Sequence, residues 1–149
     1  MGFAGNLLWI VFGGGLLTSL LWCLAGVLLA ITIIGIPFAK ASFRIARFAL
    51  LPFGNELIDG RLVGEERKTG TGLVNFLWIV FAGIWLAITH ATAGIIQCCT
   101  IIGIPFGLAN FKLAKVSFAP LGKKVVSNEL AKAAKLRAAN KELDEKLGE

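Results

Sequence analysis

Apolar positions fill two long stretches of the chain, with polar segments between and after them. No Asp, Glu, Lys or Arg occurs over residues 1–39 or 69–111, where His90 alone can titrate near neutral pH. These uncharged runs of 39 and 43 residues are each about twice the 20 residues that carry a helix across a bilayer. Apolar stretches of that length predict helices immersed in lipid rather than the one-sided helices of a water-soluble core. The charged residues fall in two islands, 40–68 and 112–149. The pattern therefore predicts an all-α integral membrane protein with its polar segments at the surface.

Composition strengthens that reading. Only 16% of the residues are charged and the mean hydropathy is +0.78, against about 25% charged in a typical soluble domain. The N-terminal residues carry no side-chain charge ahead of the apolar run, so that run is expected to be a retained anchor rather than a leader with a basic n-region. Cys23, Cys98 and Cys99 lie within apolar runs, and adjacent cysteines seldom meet disulfide geometry. With one histidine and no CxxC spacing, no metal site of the usual zinc kind and no cofactor are expected.

The chain also repeats itself. Asn6-Leu7-Leu8-Trp9-Ile10-Val11-Phe12 recurs as Asn75-Phe76-Leu77-Trp78-Ile79-Val80-Phe81, 69 positions later. Thr32-Ile33-Ile34-Gly35-Ile36-Pro37-Phe38 recurs as Thr100-Ile101-Ile102-Gly103-Ile104-Pro105-Phe106, now 68 later, so one residue is lost between the two matches. Phe43-Arg44-Ile45-Ala46-Arg47 aligns with Phe111-Lys112-Leu113-Ala114-Lys115, and Pro52-Phe53-Gly54 with Pro120-Leu121-Gly122. The two Gly-Ile-Pro segments, the basic segments after them and Pro52-Phe53-Gly54-Asn55-Glu56-Leu57-Ile58 resemble the YccF family of bacterial inner-membrane proteins, over roughly residues 5–128. The resemblance implies a multi-pass inner-membrane protein with tandem copies of an inner-membrane component domain. It carries over no activity, cofactor or catalytic residue. The second unit departs from the first at Lys123-Lys124, where Asn55-Glu56 stand in the first.

Charge sets the expected topology. Six basic residues lie in the central island (Lys40, Arg44, Arg47, Arg61, Arg67 and Lys68) and nine in the tail. The positive-inside rule places both on the cytoplasmic side, which requires an even number of crossings between them. Four short transmembrane helices at about 5–21, 23–38, 74–90 and 92–107 meet that demand as two tandem hairpins, with outer turns near Thr18–Cys23 and Ile88–Thr92 and both termini cytoplasmic. The hairpins then form a parallel pseudo-twofold repeat about the membrane normal, each followed by a basic amphipathic segment. An alternative breaks the helices at Gly13-Gly14-Gly15 and Gly83, giving a short re-entrant piece and one long span per unit. The expected division is a first membrane repeat over 5–58, a cytoplasmic linker over 59–73, a second repeat over 74–126 and a cytoplasmic helical tail over 127–149. Ser127 or Asn128 is placed to cap the tail.

Several residues are candidates for contact with ions or lipid. Pro37 and Pro105 cannot donate and crowd the carbonyls of Ile33 and Ile101. Those carbonyls, with Gly35 and Gly103, either coordinate a cation or lipid headgroup in a broken helix or end a helix at the interface. Lys40, Arg44 and Arg47 at i, i+4 and i+7 share one helix face, echoed by Lys112 and Lys115. They read as an interfacial anchor on anionic lipid or as a basic vestibule selecting anions. His90 is an intramembrane ionisable residue, but at an outer turn it is expected to be a solvated tip. Thr32, Gln97 and Thr100 are expected to hydrogen-bond between helices.

An enzyme is not expected, since no nucleophile has a base at suitable spacing and no phosphate loop is present. A small oligomeric channel or transporter for ions or small solutes is the leading reading, because four short helices enclose no pore alone and a homo-oligomer is then required. The alternative is a non-transporting scaffold or accessory subunit binding lipid or other membrane proteins. Membrane lipids, especially anionic ones, are the expected partners; nucleic acid is not.

Overall fold

The computed structural model describes residues 2–66 and 69–148. Helices α1 (Phe3–Phe12), α2 (Gly15–Ala30) and α3 (Ile36–Leu50) make up the first half, ending in strand β1 (Asn55–Asp59) and a single 3-10 turn, Gly60–Val63. The second half holds α4 (Thr71–Trp78), a π-helical turn (Ile79–Gly83), α5 (Ile84–Cys98) and α6 (Ile104–Phe118), then strand β2 (Lys123–Ser127) and the tail helix α7 (Asn128–Leu147). From Thr71 to Cys98 the chain is one helix of 28 residues, long and apolar enough to cross a bilayer. Its first-half counterpart, α1 with α2, is bent by 75°. The bend sits at Gly13-Gly14, where Gly14 adopts a left-handed φ of +84°, a conformation that costs residues with a Cβ about 1–2 kcal/mol.

The outer turns expected at Thr18–Cys23 and Ile88–Thr92 do not form, because α2 and α5 run straight through those residues. Ser19 and Trp22, with Gly15 and Gly26, instead make the one buried stripe of α2, at the spacing of a single helix face. The chain reverses at the Thr-Ile-Ile-Gly segments, between α2 and α3 and again between α5 and α6. In the second half Gly83 lies against Phe118, His90 against Asn110 and Gly94 against Gly107, so α5 and α6 are antiparallel. Pro37 and Pro105 stand in the first turn of α3 and of α6. There a missing N–H leaves no hydrogen bond unmade, so each proline starts a helix rather than breaking one. The expected spans at 5–21, 23–38, 74–90 and 92–107 accordingly give way to helices with other limits.

The expectation of an all-α chain is corrected too. Strands β1 and β2 pair antiparallel, Asn55 with Ser127 and Asp59 with Lys123, and Leu57 faces Val125 at the centre. The pleat alternates its faces. Leu57 and Val125 pack on a core built around Trp9, Ile45, Phe48, Phe106 and Leu113, while Ile58 and Val126 join Ala131 and Ala134 of α7 in a second cluster. Of the two candidate caps for α7, Ser127 takes the role, its hydroxyl accepting from the Leu130 N–H at 3.3 Å.

The halves dock through bonds that recur at the repeat offset. Arg44 donates to the Lys123 carbonyl at 2.6 Å, and Lys112 to the Asn55 carbonyl at 3.2 Å. Phe38 stacks on Trp78 with centroids 4.8 Å apart, and Phe106 lies 5.9 Å from Trp9. The start of each post-turn helix, α3 or α6, thus meets the tryptophan at the far end of the other hairpin. A pseudo-twofold axis through the Leu57–Val125 pair relates them.

Candidate lipid-binding surface

The turns between the paired helices are the most exposed apolar points of the fold: Ile33 and Ile101 are each 88% exposed, with Ile34 and Ile102 beside them. Thr32 closes the first turn on itself, donating to the Leu29 carbonyl at 3.1 Å and accepting from the Gly35 N–H at 3.0 Å. Thr100 does the same with Gln97 and Gly103. These threonines are local staples, not the interhelical bonds expected of them. The Ile33 carbonyl accepts from the Ile36 N–H, so it is not released for a ligand. At both turns glycine is obligatory: a Cβ on Gly35 would run into the Leu29 carbonyl, and one on Gly103 into that of Gln97.

Behind the first tip lies a cationic edge. Lys40, Arg44 and Arg47 are exposed along α3 while Ile45, Ala46, Phe48 and Ala49 on the opposite face are buried, so the amphipathic helix is present. Lys40 and Arg44 border a cavity of about 460 Å³ whose apolar side includes Ile36, Pro37, Val74 and Leu121 and whose rim carries Glu65 and Glu66. Arg44 and Arg47 border a second, of about 450 Å³, with Lys124 and Asn55. Glu65 pairs with Lys124 at 2.7 Å, and that bond draws its pKa down. The second half repeats the edge only in part. Leu108 replaces Lys40, Lys115 is exposed, and Lys112 is turned inward onto the Asn55 and Pro52 carbonyls. Burial lowers the Lys112 pKa against the opposing pull of Glu56. Glu56 itself pairs with Lys135 of α7 at 2.5 Å, tying the tail to β1. At the end of the ladder Arg61 holds the Asp59 carboxyl down at about 2 through a side-chain hydrogen bond. Arg67 and Lys68, counted in the central basic island, lie outside the described residues.

His90 is not a solvated tip. It lies within α5, 9% exposed, with Nδ1 3.2 Å from Asn110 Oδ1. Asn110 donates to Gln97 Oε1 at 2.7 Å, and Gln97 donates to the Gly13 carbonyl at 3.1 Å. This row, buried at His90 and Asn110 and half-buried at Gln97, runs from the second hairpin to the helix bend of the first. Gln97 does bond between helices, and the row satisfies polar groups that would otherwise be costly to bury. Asn110 was not singled out by sequence reasoning. Its one available signal was being an amide inside an uncharged run, opposite Ser42 of the first half. Among the described residues no group of three or more His, Cys, Asp or Glu is placed to hold a metal.

A helical chain with bare isoleucine tips, a lipid-length apolar helix and its charge gathered on one edge and a tail belongs to the class of membrane proteins. Comparison with known proteins agrees, for the model of the inner membrane component domain matches twice, over residues 4–55 and 73–123, and the chain belongs to the YccF family of bacterial inner-membrane proteins. It is similar to the inner membrane protein YccF of Escherichia coli (strain K12) and that of Shigella flexneri. Each is 39% identical over 127 residues, 82% of this chain and 86% of the relative. No solved structure matches.

Proposed function

We propose that this chain is a non-transporting, non-enzymatic scaffold of the inner membrane that holds anionic phospholipid on its cationic edge. The observation carrying this reading is the exposed row Lys40, Arg44 and Arg47, of which Lys40 and Arg44 border a cavity with an apolar side, a surface that offers charge to a headgroup and carbon to an acyl chain. Each basic residue near an anionic surface contributes about 1 kcal/mol, so the row favours anionic over zwitterionic lipid.

The small oligomeric channel or transporter remains as a second reading on one observation, the hydrogen-bonded row from His90 through Asn110 and Gln97 to Gly13. It would need further copies of the chain to complete a pore wall.

One preparation tests both. Delipidated protein in detergent is titrated with phosphatidylglycerol or phosphatidylcholine and read by native mass spectrometry, then recorded in a planar bilayer. The scaffold reading expects preferential retention of the anionic lipid, weakened about tenfold or more in Lys40→Gln with Arg47→Gln, and no current. Discrete ion-selective conductance would replace it with the channel, and equal retention of the two lipids would remove the headgroup role.

A further inference from the structure

We infer that the two cavities along the cationic edge form one site for a lipid whose headgroup carries two phosphates, one in each cavity with Arg44 between them. The inference rests on the anionic-lipid reading and narrows it to a class of headgroup.

The two cavities are neighbours that share Arg44 and Glu65 in their walls. Lys40 lines only the first and Arg47 only the second. Seven residues of helix set Lys40 and Arg47 about 10 Å apart along the axis of α3. A single phosphate in either cavity meets Arg44 and one end of the row, whereas two phosphates on a short bridge engage the whole row. Lys40 and Arg47 are exposed and have no hydrogen-bond or ion-pair partner among the described residues. Arg44 is placed differently. Its Nη1 donates to the Lys123 carbonyl at 2.6 Å, which anchors the guanidinium at the wall common to both cavities. A guanidinium has five N–H donors, so donors remain for phosphate, and an anchored side chain loses less freedom on binding.

Charge across the joint site matches two phosphates. Lys124 lines the second cavity and pairs with Glu65 at 2.7 Å, so the carboxylate between the two positions is neutralised in place. Glu66 stands at the rim of the first. Among the described residues, the cations Lys40, Arg44, Arg47 and Lys124 against these two carboxylates leave a formal +2, equal and opposite to the charge of two phosphodiesters. The helix Thr71–Cys98 begins at the wall of the first cavity, with Gly70 and Thr71 in its lining, so that cavity also meets the positive end of a helix dipole. Both cavities offer carbon beside charge, through Ile36, Pro37 and Val74 in the first and Leu51, Val125 and Val126 in the second. Ile36 and Pro37 follow directly on the bare tip Ile33–Ile34, so the first cavity adjoins the surface offered to acyl chains.

The second half builds no counterpart. Leu108 stands in place of Lys40, and Lys112, in place of Arg44, is turned onto the Pro52 and Asn55 carbonyls. Lys115, in place of Arg47, borders an apolar cavity with Ala87, Ile88 and Phe118. One such lipid per chain is therefore expected. Once its first phosphate is seated, contact by the second is intramolecular, which favours a two-phosphate lipid over separate lipids of one phosphate each.

The test uses the delipidated full-length chain in detergent, titrated with cardiolipin, phosphatidylglycerol or phosphatidylcholine at equal phosphate, with bound lipid counted by native mass spectrometry. Cardiolipin carries two phosphates on a glycerol bridge and phosphatidylglycerol one. The expected result is one cardiolipin per chain, held about tenfold or more tightly than phosphatidylglycerol. Lys40→Gln and Arg47→Gln should each abolish that preference, since each leaves a single cavity fit for one phosphate, while phosphatidylglycerol still exceeds phosphatidylcholine. Lys132→Gln removes the same charge from an exposed position on α7 and should leave the preference intact. A loss as large as that of Arg47→Gln would reduce the preference to net charge and overturn the site. Equal retention of cardiolipin and phosphatidylglycerol by the unsubstituted chain, both above phosphatidylcholine, would overturn the two-phosphate site and leave the anionic edge standing. Equal retention of all three would overturn both. Inorganic pyrophosphate added to the cardiolipin complex should not displace the lipid; displacement would assign the cavities to a soluble diphosphate instead.

Discussion

In the first half Asn6 donates to the Phe53 carbonyl at 3.0 Å and accepts from the Phe53 N–H at 2.9 Å; in the second Asn75 makes the same two bonds to Leu121, each at 3.1 Å. Trp9 donates to the Ala49 carbonyl, Trp78 to that of Ser117. A tip glycine and a hydroxyl staple close each turn. What differs is chemistry. Trp22 and Ser42 in one half stand where His90 and Asn110 stand in the other, and Lys40 where Leu108 stands. The first pair exchanges together, since the amide of Asn110 binds the imidazole, while the smaller Ser42 hydroxyl is buried without a hydrogen-bond partner among the described residues. Residues shared by the halves hold the hairpin, and residues that differ set where charge and buried polarity are placed.

Trp9 and Trp78 give the largest test of that division. Trp9 is fully buried and Trp78 half-buried. Trp9→Ala should cost about 3 kcal/mol or more from lost packing, and it also strands the Ala49 carbonyl. Trp78→Ala should cost about half as much. Unfolding in mixed detergent with rising dodecyl sulfate, followed by far-UV circular dichroism, reads both midpoints. Equal losses would show that the core is not weighted toward the first half.

The asparagine clamps should show the opposite, equality. Asn6→Ala and Asn75→Ala each leave one N–H and one carbonyl without their partner, at about 1 kcal/mol or more per group. Both should lose about 2 kcal/mol in the same titration. A loss confined to one variant would make that clamp incidental to its hairpin.

The shared residues are also the ones the sequence makes legible. The offset of 68 or 69 is visible because the same bonds need the same side chains, so Asn, Trp, Gly and Pro recur in order. The direction of the hairpins is not visible. Thr18, Ser19 and Trp22 carry polar atoms, which suggests a turn, yet an uncharged helix of this composition can turn such residues toward a neighbour, and Ser19 and Trp22 are the side on which α2 packs. Pro37 marks a boundary in either reading, and only the tertiary contacts show it starting a helix. The ladder escapes notice because Asn55–Asp59 and Lys123–Ser127 are short, and each lacks a partner close in sequence. Lys40, Arg44 and Arg47 are readable as one face because helix periodicity alone places them. The inward turn of Lys112 is not, since it depends on carbonyls of the other half.

The residue lost between the repeats can now be located, and it provides the finest test. Phe12 matches Phe81 at an offset of 69, whereas Gly15 matches Gly83 at 68, each buried beside its tryptophan. With Gly13 opposite Ala82, the unmatched residue is Gly14, the one with φ +84° at the 75° bend. The second half, without it, continues as one helix through the π turn Ile79–Gly83, and Trp78 still reaches its carbonyl. Gly14→Ala keeps the residue count and should retain the bend while losing about 1–2 kcal/mol. Deleting Gly14 should instead straighten α1 and α2 into a helix like Thr71–Cys98. Spin labels at Phe3 and Leu28, both exposed, would then separate toward the roughly 36 Å expected of 24 residues of straight helix. An unchanged distance in the deletion would assign the bend to the docking of Trp9 on Ala49 rather than to the extra glycine.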